Sequence, residues 1–269
     1  MSERTQILLT NDDGILSPGL WAAAAALSKL GYVTVAAPRE QVSSTGRSLP
    51  HTSDGKIERL VININDQEWP VFAVGGSPAQ SVLHAVLEIL PAPPNLVVSG
   101  INYGENLGTS ITISGTVGAA MEAAAMGVPS MAVSLQIFSN DYLKYHDLDF
   151  STAGHFTYLF AKMLLERPCP PDVDLLKVEV PAAATPETPW RMTRLAHHRY
   201  YLPVSERKGN WDEPYVIEGR PQVNPGEVEP DTDIHAVLFD QVVAVTPLSL
   251  DFTSRVDLPE LEKSLRSPL

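Results

Sequence analysis

The rhythm of the first forty residues restricts this chain more than anything else in it. "QILLT" (6–10) is a short apolar run that ends in turn residues, the pattern of a buried strand. "PGLWAAAAALSKLG" (18–31) opens on Pro18, is rich in alanine and stops at Gly31, all of which suit a helix. "YVTVAAP" (32–38) is strand-like again. A β-α-β opening of this kind calls for a parallel sheet with right-handed crossovers. The alternation continues. "ERLVINI" and "EWPVFAVGG" flank "NDQ" as an inserted hairpin. "PAQSVLHAVLEIL" reads as a helix, "NLVVSG" as a strand, "TVGAAMEAAAMG" as a helix and "VPSMAVSL" as a strand. "FSTAGHFTYLFAKMLLERP" gives a longer helix, and "LLKVEVP" a last strand. Residues 1–181 therefore predict a doubly wound, Rossmann-like α/β domain with a mostly parallel sheet. Beyond Pro181 prolines multiply. "AAATPETPWRMTRLAHHRYYLPV", "EPYVIEG" and "IHAVLFDQVVAVTPLSLDF" predict strands and loops, and "LPELEKSL" a terminal helix. Residues 182–269 read as a β-rich extension that needs another surface, such as a second subunit, to pack on.

Composition narrows the partners. With 19 basic against 32 acidic residues the net charge is −13, a field that repels nucleic acid and anionic membranes. It still admits a small anionic substrate where a metal ion or helix N-termini reverse the sign locally. The single cysteine, Cys169 in "ERPCPPD", excludes a disulfide framework or a cysteine zinc site within one chain. "MSERTQILLT" lacks the pattern of a signal peptide, and "WAAAAAL" is far too short to span a membrane, so the expected location is cytoplasmic.

In open α/β sheets ligands bind outside the carboxyl ends of the strands. Four polar loops follow predicted strands: "NDDG", "PREQVSSTGRS", "GGSP" and "SGINYGENLGTSITISGT". Asn-Asp-Asp-Gly is ordinary turn chemistry, and that is the plain reading of Asp12 and Asp13. Against it, the helix starts several residues later, so capping does not require both carboxylates. Hard divalent cations favour carboxylate, amide-carbonyl, hydroxyl and water oxygens, which Asp12, Asp13, a serine and an asparagine would supply. Ser43, Ser44 and Thr45 are common turn residues, and Asn102 before a glycine often satisfies local backbone. Ser114 is a normal N-cap for the helix that Gly115 and Thr116 open, yet the same helix start offers N–H groups to a phosphate. Ser77, Pro78 and Gln80 form the pattern of a capping box. His197 and His198, adjacent on an expected strand, face opposite sides and make poor joint ligands. His51, His84, His146 and His155 have no metal-ligand spacing either.

Taken together, "ILLTNDDGILSPG", "APREQVSSTGRSL", "VVSGINYGENLG" and "SGTVGAAMEAAAMGVPSMAVS" resemble the survival protein E (SurE) family in order and spacing. "DTDIHAVL" and "VAVTPLSLDF" extend the similarity over roughly residues 5 to 252. The resemblance implies a phosphatase dependent on one divalent metal ion per subunit, magnesium, manganese or cobalt. It would act on nucleoside 5′- and 3′-monophosphates, and on polyphosphate in some members. It implies a Rossmann-like domain whose C-terminal extension swaps between subunits of a homodimer or homotetramer. Matched motif to motif, the metal ligands fall on Asp12, Asp13, Ser43 and Asn102. Asn106, Ser114, Gly115 and Thr116 fall in the phosphate-facing region. Two departures stand out: Gln80 where the family has an aspartate, and Gln241 where it has a turn glycine. On this reading Asp12 or Asp13 takes a proton from the attacking water, Asp13 being the favoured base. Two alternatives stay open: a haloacid-dehalogenase-like phosphatase with an aspartate nucleophile, although that family uses Asp-x-Asp, and a non-enzymatic nucleotide-binding protein.

Overall fold

A computed structural model describes residues 5–64, 66–137 and 148–267. The opening unit forms as read, with β1 (Gln6–Thr10), α1 (Pro18–Leu27) and β2 (Tyr32–Pro38). The hairpin β3 (Ile57–Ile64) and β4 (Gln67–Val74) follows, then α2 (Pro78–His84), which continues into one π-helical turn over Ala85–Ile89. Next come β5 (Leu96–Tyr103), a 3-10 turn over Thr109–Ile113, α3 (Gly115–Ala125), β6 (Ser130–Leu135), α4 (Ser151–Glu166) and β7 (Leu175–Val180). His146 lies outside the described residues.

Among the described residues the main sheet has nine strands in the order β3-β4-β2-β1-β5-β6-β7, continued by β11 (Val243–Leu248) and β8 (Trp190–Met192). From β4 to β7 every neighbouring pair is parallel. β3 pairs antiparallel with β4 at one edge, and β11 antiparallel with β7 near the other. The winding order reverses between β1 and β5, which opens a crevice at their carboxyl ends. Alternation along β1 explains its unbroken apolar run. Ile7 and Leu9 enter a core with α1 and α4, through Leu20, Phe156 and Phe160. Leu8 packs on the opposite face against Val82 of α2 and Ala119 of α3.

Helix starts follow the expected chemistry. Gln80 N donates to Ser77 Oγ at 3.1 Å and Ser77 N to Gln80 Oε1 at 2.9 Å, a complete capping box. Ser114 Oγ accepts from Val117 N at 3.1 Å and caps α3. Gln80 thus completes the helix start, and its amide also donates to Pro50 O at 3.1 Å.

The region beyond Pro181 departs from its sequence reading in three places. "IHAVLF" is not a strand: α5 (Asp233–Leu238) stands there, and the strand begins only at Val243. Ile234, Val237 and Leu238 fall at helical spacing and pack against Leu107 and Ala196, burial that the strand reading overlooked. His197 and His198 lie in a bend, because the backbone there pairs with the loop at Gly108–Thr109 instead of continuing a strand. "EPYVIEG" forms strand only at its end, β10 (Glu218–Pro221), paired antiparallel with β9 (Tyr201–Val204). Gln241 adopts φ +52°, the conformation a glycine takes readily, and its Nε2 donates to Val237 O at 2.7 Å, closing the end of α5. The helix α6 (Leu258–Arg266) forms as expected, with Leu258, Leu261 and Leu265 exposed. Among the described residues no helix is long and apolar enough to cross a membrane.

Candidate active site

The turn after β1 aims two carboxylates into the crevice. Asn11 Nδ2 donates to Gly14 O at 3.0 Å and closes the turn. Gly14 sits at φ +92°, where a Cβ would come within 2.9 Å of the Glu40 backbone, so only glycine fits between the first two loops. Val42 N donates to Asp12 O at 2.7 Å and fixes the second loop against the first.

Asp12 and Asp13 are 5% and 6% exposed. Asp12 Oδ1 accepts from Thr116 Oγ1 at 2.5 Å, across from the start of α3. Burial pushes the Asp12 carboxyl upward, opposed by the Thr116 hydroxyl and the N–H groups of Asp12, Thr116 and Gly115. A Cβ on Gly115 would fall 2.8 Å from Asp12 Oδ2, so a glycine is what lets the helix start approach this carboxylate. Asp13 Oδ2 accepts from Tyr103 N at 2.9 Å and Oδ1 from Gln41 Nε2 at 3.3 Å. Burial, and then the neighbouring Asp12, push the Asp13 carboxyl up to about 8.

A cleft of about 460 Å³ opens over the pair, and Ser43, Asn102, Asn106 and Ser114 line it with them. Asn102 stands on β5 itself, past a break in register with β6, so the strand runs further than "NLVVSG" and delivers this side chain to its carboxyl end. Its Nδ2 donates to Gly104 O at 2.6 Å, which leaves the amide oxygen as the group with lone pairs to offer. Ser43 is an exposed turn residue beside Ser44, whose φ is +60°. Asn106 Nδ2 donates to Ser134 Oγ at 2.9 Å. Gly115 and Thr116 stand behind Asp12 and are not part of the cleft wall. Of the four polar loops, "GGSP" does not reach this cleft. Ser77 Oγ instead donates to Ser48 O at 2.6 Å and braces the second loop from behind.

Sequence reasoning missed the opposite wall. Arg199, Tyr201 and Pro203 on or before β9, with Ile217 and Gly219, face the oxygen-bearing loops across the cleft. Glu105 ties that wall down: Oε1 accepts from Tyr200 OH at 2.7 Å and Tyr201 OH at 3.1 Å, and Oε2 from Ile137 N at 3.2 Å. Also missed was a buried cluster beneath the loop, Lys177, Glu179 and Asp233. Burial pulls Lys177 down, but Asp233 and Glu179 more than offset it. Burial lifts Glu179 to about 7 against the pull of Lys177. The signal was legible: two charges at i and i+2 in "LLKVEV", on one face of an otherwise apolar strand.

The donor set suits a hard divalent cation. Two buried carboxylates stand side by side, and desolvation disfavours the charge of each. Asp12 Oδ2 lies against the helix start of α3, and the N–H groups of Gly115 and Thr116 favour negative charge on this carboxyl. Among the described residues no three His, Cys, Asp or Glu side chains converge, so the remaining oxygens would be the hydroxyl and amide oxygens of Ser43 and Asn102.

Known proteins resemble this chain along nearly its whole length. Residues 7–202 match the family model described as survival protein SurE. The chain is 40% identical over 266 residues to the 5′-nucleotidase SurE of Methanosarcina mazei, covering 97% of each chain. It is 42% identical over 262 residues to the 5′-nucleotidase SurE of Thermococcus kodakarensis, covering 97% of this chain and 98% of the other. The crystal structure of the SurE protein from Aquifex aeolicus superposes with a TM-score of 0.73 at 33% identity, over 97% of this chain and 98% of that one. With the α/β body matched, near-full-length relatives and a shared fold, this chain belongs to the SurE family.

Proposed function

We propose that the protein is a divalent-metal-dependent phosphatase that hydrolyses nucleoside 5′-monophosphates to nucleoside and phosphate. The observation that carries this reading is the buried Asp12–Asp13 pair at the switch point, facing a cleft lined by neutral oxygen donors. The printed names of the relatives, 5′-nucleotidase SurE, support the substrate class. Nucleoside 3′-monophosphates and polyphosphate are further substrates on this reading.

Asp12, Asp13, Ser43 and Asn102 would hold one magnesium, manganese or cobalt ion. Such an ion neutralises phosphoryl charge and lowers the pKa of water. Asp13 accepts the proton of the attacking water, while Thr116 and the N-terminus of α3 hold Asp12 in place. Asn106 and Ser114, on the cleft wall, orient the phosphoryl oxygens. The chemistry requires positioning and charge neutralisation more than covalent assistance. Residues 1–181 act as the catalytic domain and 182–269 as the extension. The exposed Phe252, Val256, Leu258, Leu261 and Leu265 support a homodimer or homotetramer in which the extension exchanges between subunits.

A screen of phosphomonoesters for phosphate release, with and without chelator, tests the reading. Release from nucleoside monophosphates that stops in chelator and returns with one added metal is expected. Binding without release under every metal would replace the enzyme by a nucleotide-binding protein, and a trapped phosphoaspartate would replace the mechanism.

A further inference from the structure

We propose that Lys177 and Glu179 are positioning residues that set Asn106 in the cleft by gripping both polar ends of its backbone. The inference rests on the reading of Asn106 as a substrate-facing residue. The two side chains project from the same face of β7, and both are fully buried. Glu179 Oε2 accepts from Asn106 N at 2.9 Å. Lys177 Nζ donates to Asn106 O at 2.9 Å, to Asp233 Oδ2 at 2.9 Å and to Glu179 Oε1 at 3.4 Å. The Asn106 side chain is held separately by Ser134 Oγ. Asp233 carries the grip further, accepting from Gly108 N at 3.1 Å and from Ala196 N at 2.9 Å. The loop under the phosphate and the segment leading to Arg199 are thereby registered against one point.

Stability does not explain such a cluster. Buried ion pairs are often replaced by apolar residues without loss, while removal of a single partner is costly. A strand with valine or isoleucine at 177 and 179 would fill the same space. What apolar side chains cannot do is read the N–H and the C=O of one loop residue at once.

Two variants remove the grip from opposite ends. Glu179→Met releases the N–H and leaves a balanced Lys177–Asp233 pair. The double variant Lys177→Met with Asp233→Asn releases the C=O. Glu179→Gln, which keeps an acceptor for the N–H, is the conservative control. A displacement near 1 Å at a positioned group costs on the order of 100-fold in turnover. Both disruptive variants are expected to lose about that factor in kcat/KM on a nucleoside monophosphate, with Glu179→Gln losing less than about threefold. Amide hydrogen exchange over 104–108 should accelerate at least about tenfold in them while β1 and β6 stay protected. Asn106→Ala should cost far less in either background than in wild type, since its contribution is already lost. Unchanged exchange over 104–108, or a full multiplication of the Asn106→Ala loss, overturns the proposal. If one disruptive variant does not fold, the other carries the same three readouts. A wild-type chain that releases no phosphate ends the phosphatase reading, and exchange alone then decides the grip.

Discussion

Replacing Asp13 with asparagine in metal-free protein should reverse its effect on stability as pH rises. The Asp13 carboxyl is raised from 3.8 to about 8 in the folded chain. Its folded form therefore binds a proton more tightly than its unfolded form. That contribution is fully present below about pH 4, is lost as pH climbs through about 8, and is flat beyond. At pH 7 the gap above 3.8 is about 3 pH units, so burying this group costs up to about 4 kcal/mol at 1.36 kcal/mol per unit. Asparagine avoids that cost but offers one acceptor oxygen where Asp13 has two, each now bonded, to Tyr103 N and Gln41 Nε2. Losing one such bond in a buried site costs about 1–3 kcal/mol. The balance favours the variant by about 1–3 kcal/mol at pH 7 and disfavours it near pH 4.5. For a chain of this size that is roughly 2–10 °C in Tm at pH 7. The assay is thermal unfolding in chelator across pH 4.5 to 8.5, for both proteins. Added manganese should then raise the Tm of wild type and leave Asp13→Asn unmoved. A difference in Tm that does not depend on pH, or an equal rise with manganese in both, would refute the reasoning.

Other substitutions probe the same frame. Gly115→Ala places a Cβ 2.8 Å from Asp12 Oδ2, so turnover should fall at least about tenfold while helix content by circular dichroism stays unchanged. Ser77→Ala removes both the N-cap of α2 and the bond to Ser48 O, so Tm should fall by about 4–8 °C, the worth of about 2 kcal/mol, with kcat/KM lowered far less than by Gly115→Ala. Gln241→Gly relieves a left-handed φ by about 1 kcal/mol but gives up the bonds to Val237 O and Leu238 O. Its denaturation midpoint should therefore move by less than about 1 kcal/mol in either direction.

The α/β body was legible because both faces of its sheet are covered. Strands such as β1 and β6 are buried along nearly their whole length around apolar centres, and the helices α2 and α3 carry caps, Ser77 and Ser114, that mark their starts. The convergence of Asp12, Asp13 and Asn102 followed from the rule that loops at a switch point share an edge. Less was readable after Pro181, where local signals compete. "IHAVLF" has strand-forming residues, and only its packing on Leu107 and Ala196 makes it helical. The Arg199–Tyr201 wall depends on contacts with Glu105, nearly a hundred residues away, and spacing gives no hint of it. Gly115 and Thr116 matched a phosphate-facing motif, while the geometry turns Thr116 toward Asp12, a distinction that only side-chain directions reveal.

On the proposed reading, the adjacent carboxylates of Asp12 and Asp13 tolerate each other because a cation would lie between them. Anomalous scattering from crystals grown with manganese tests this most directly. One peak per chain within coordinating distance of Asp12, Asp13 and Asn102, absent from Asp12→Asn crystals, is the predicted result. A manganese peak elsewhere with none at the pair, or an undiminished peak in Asp12→Asn, would contradict it.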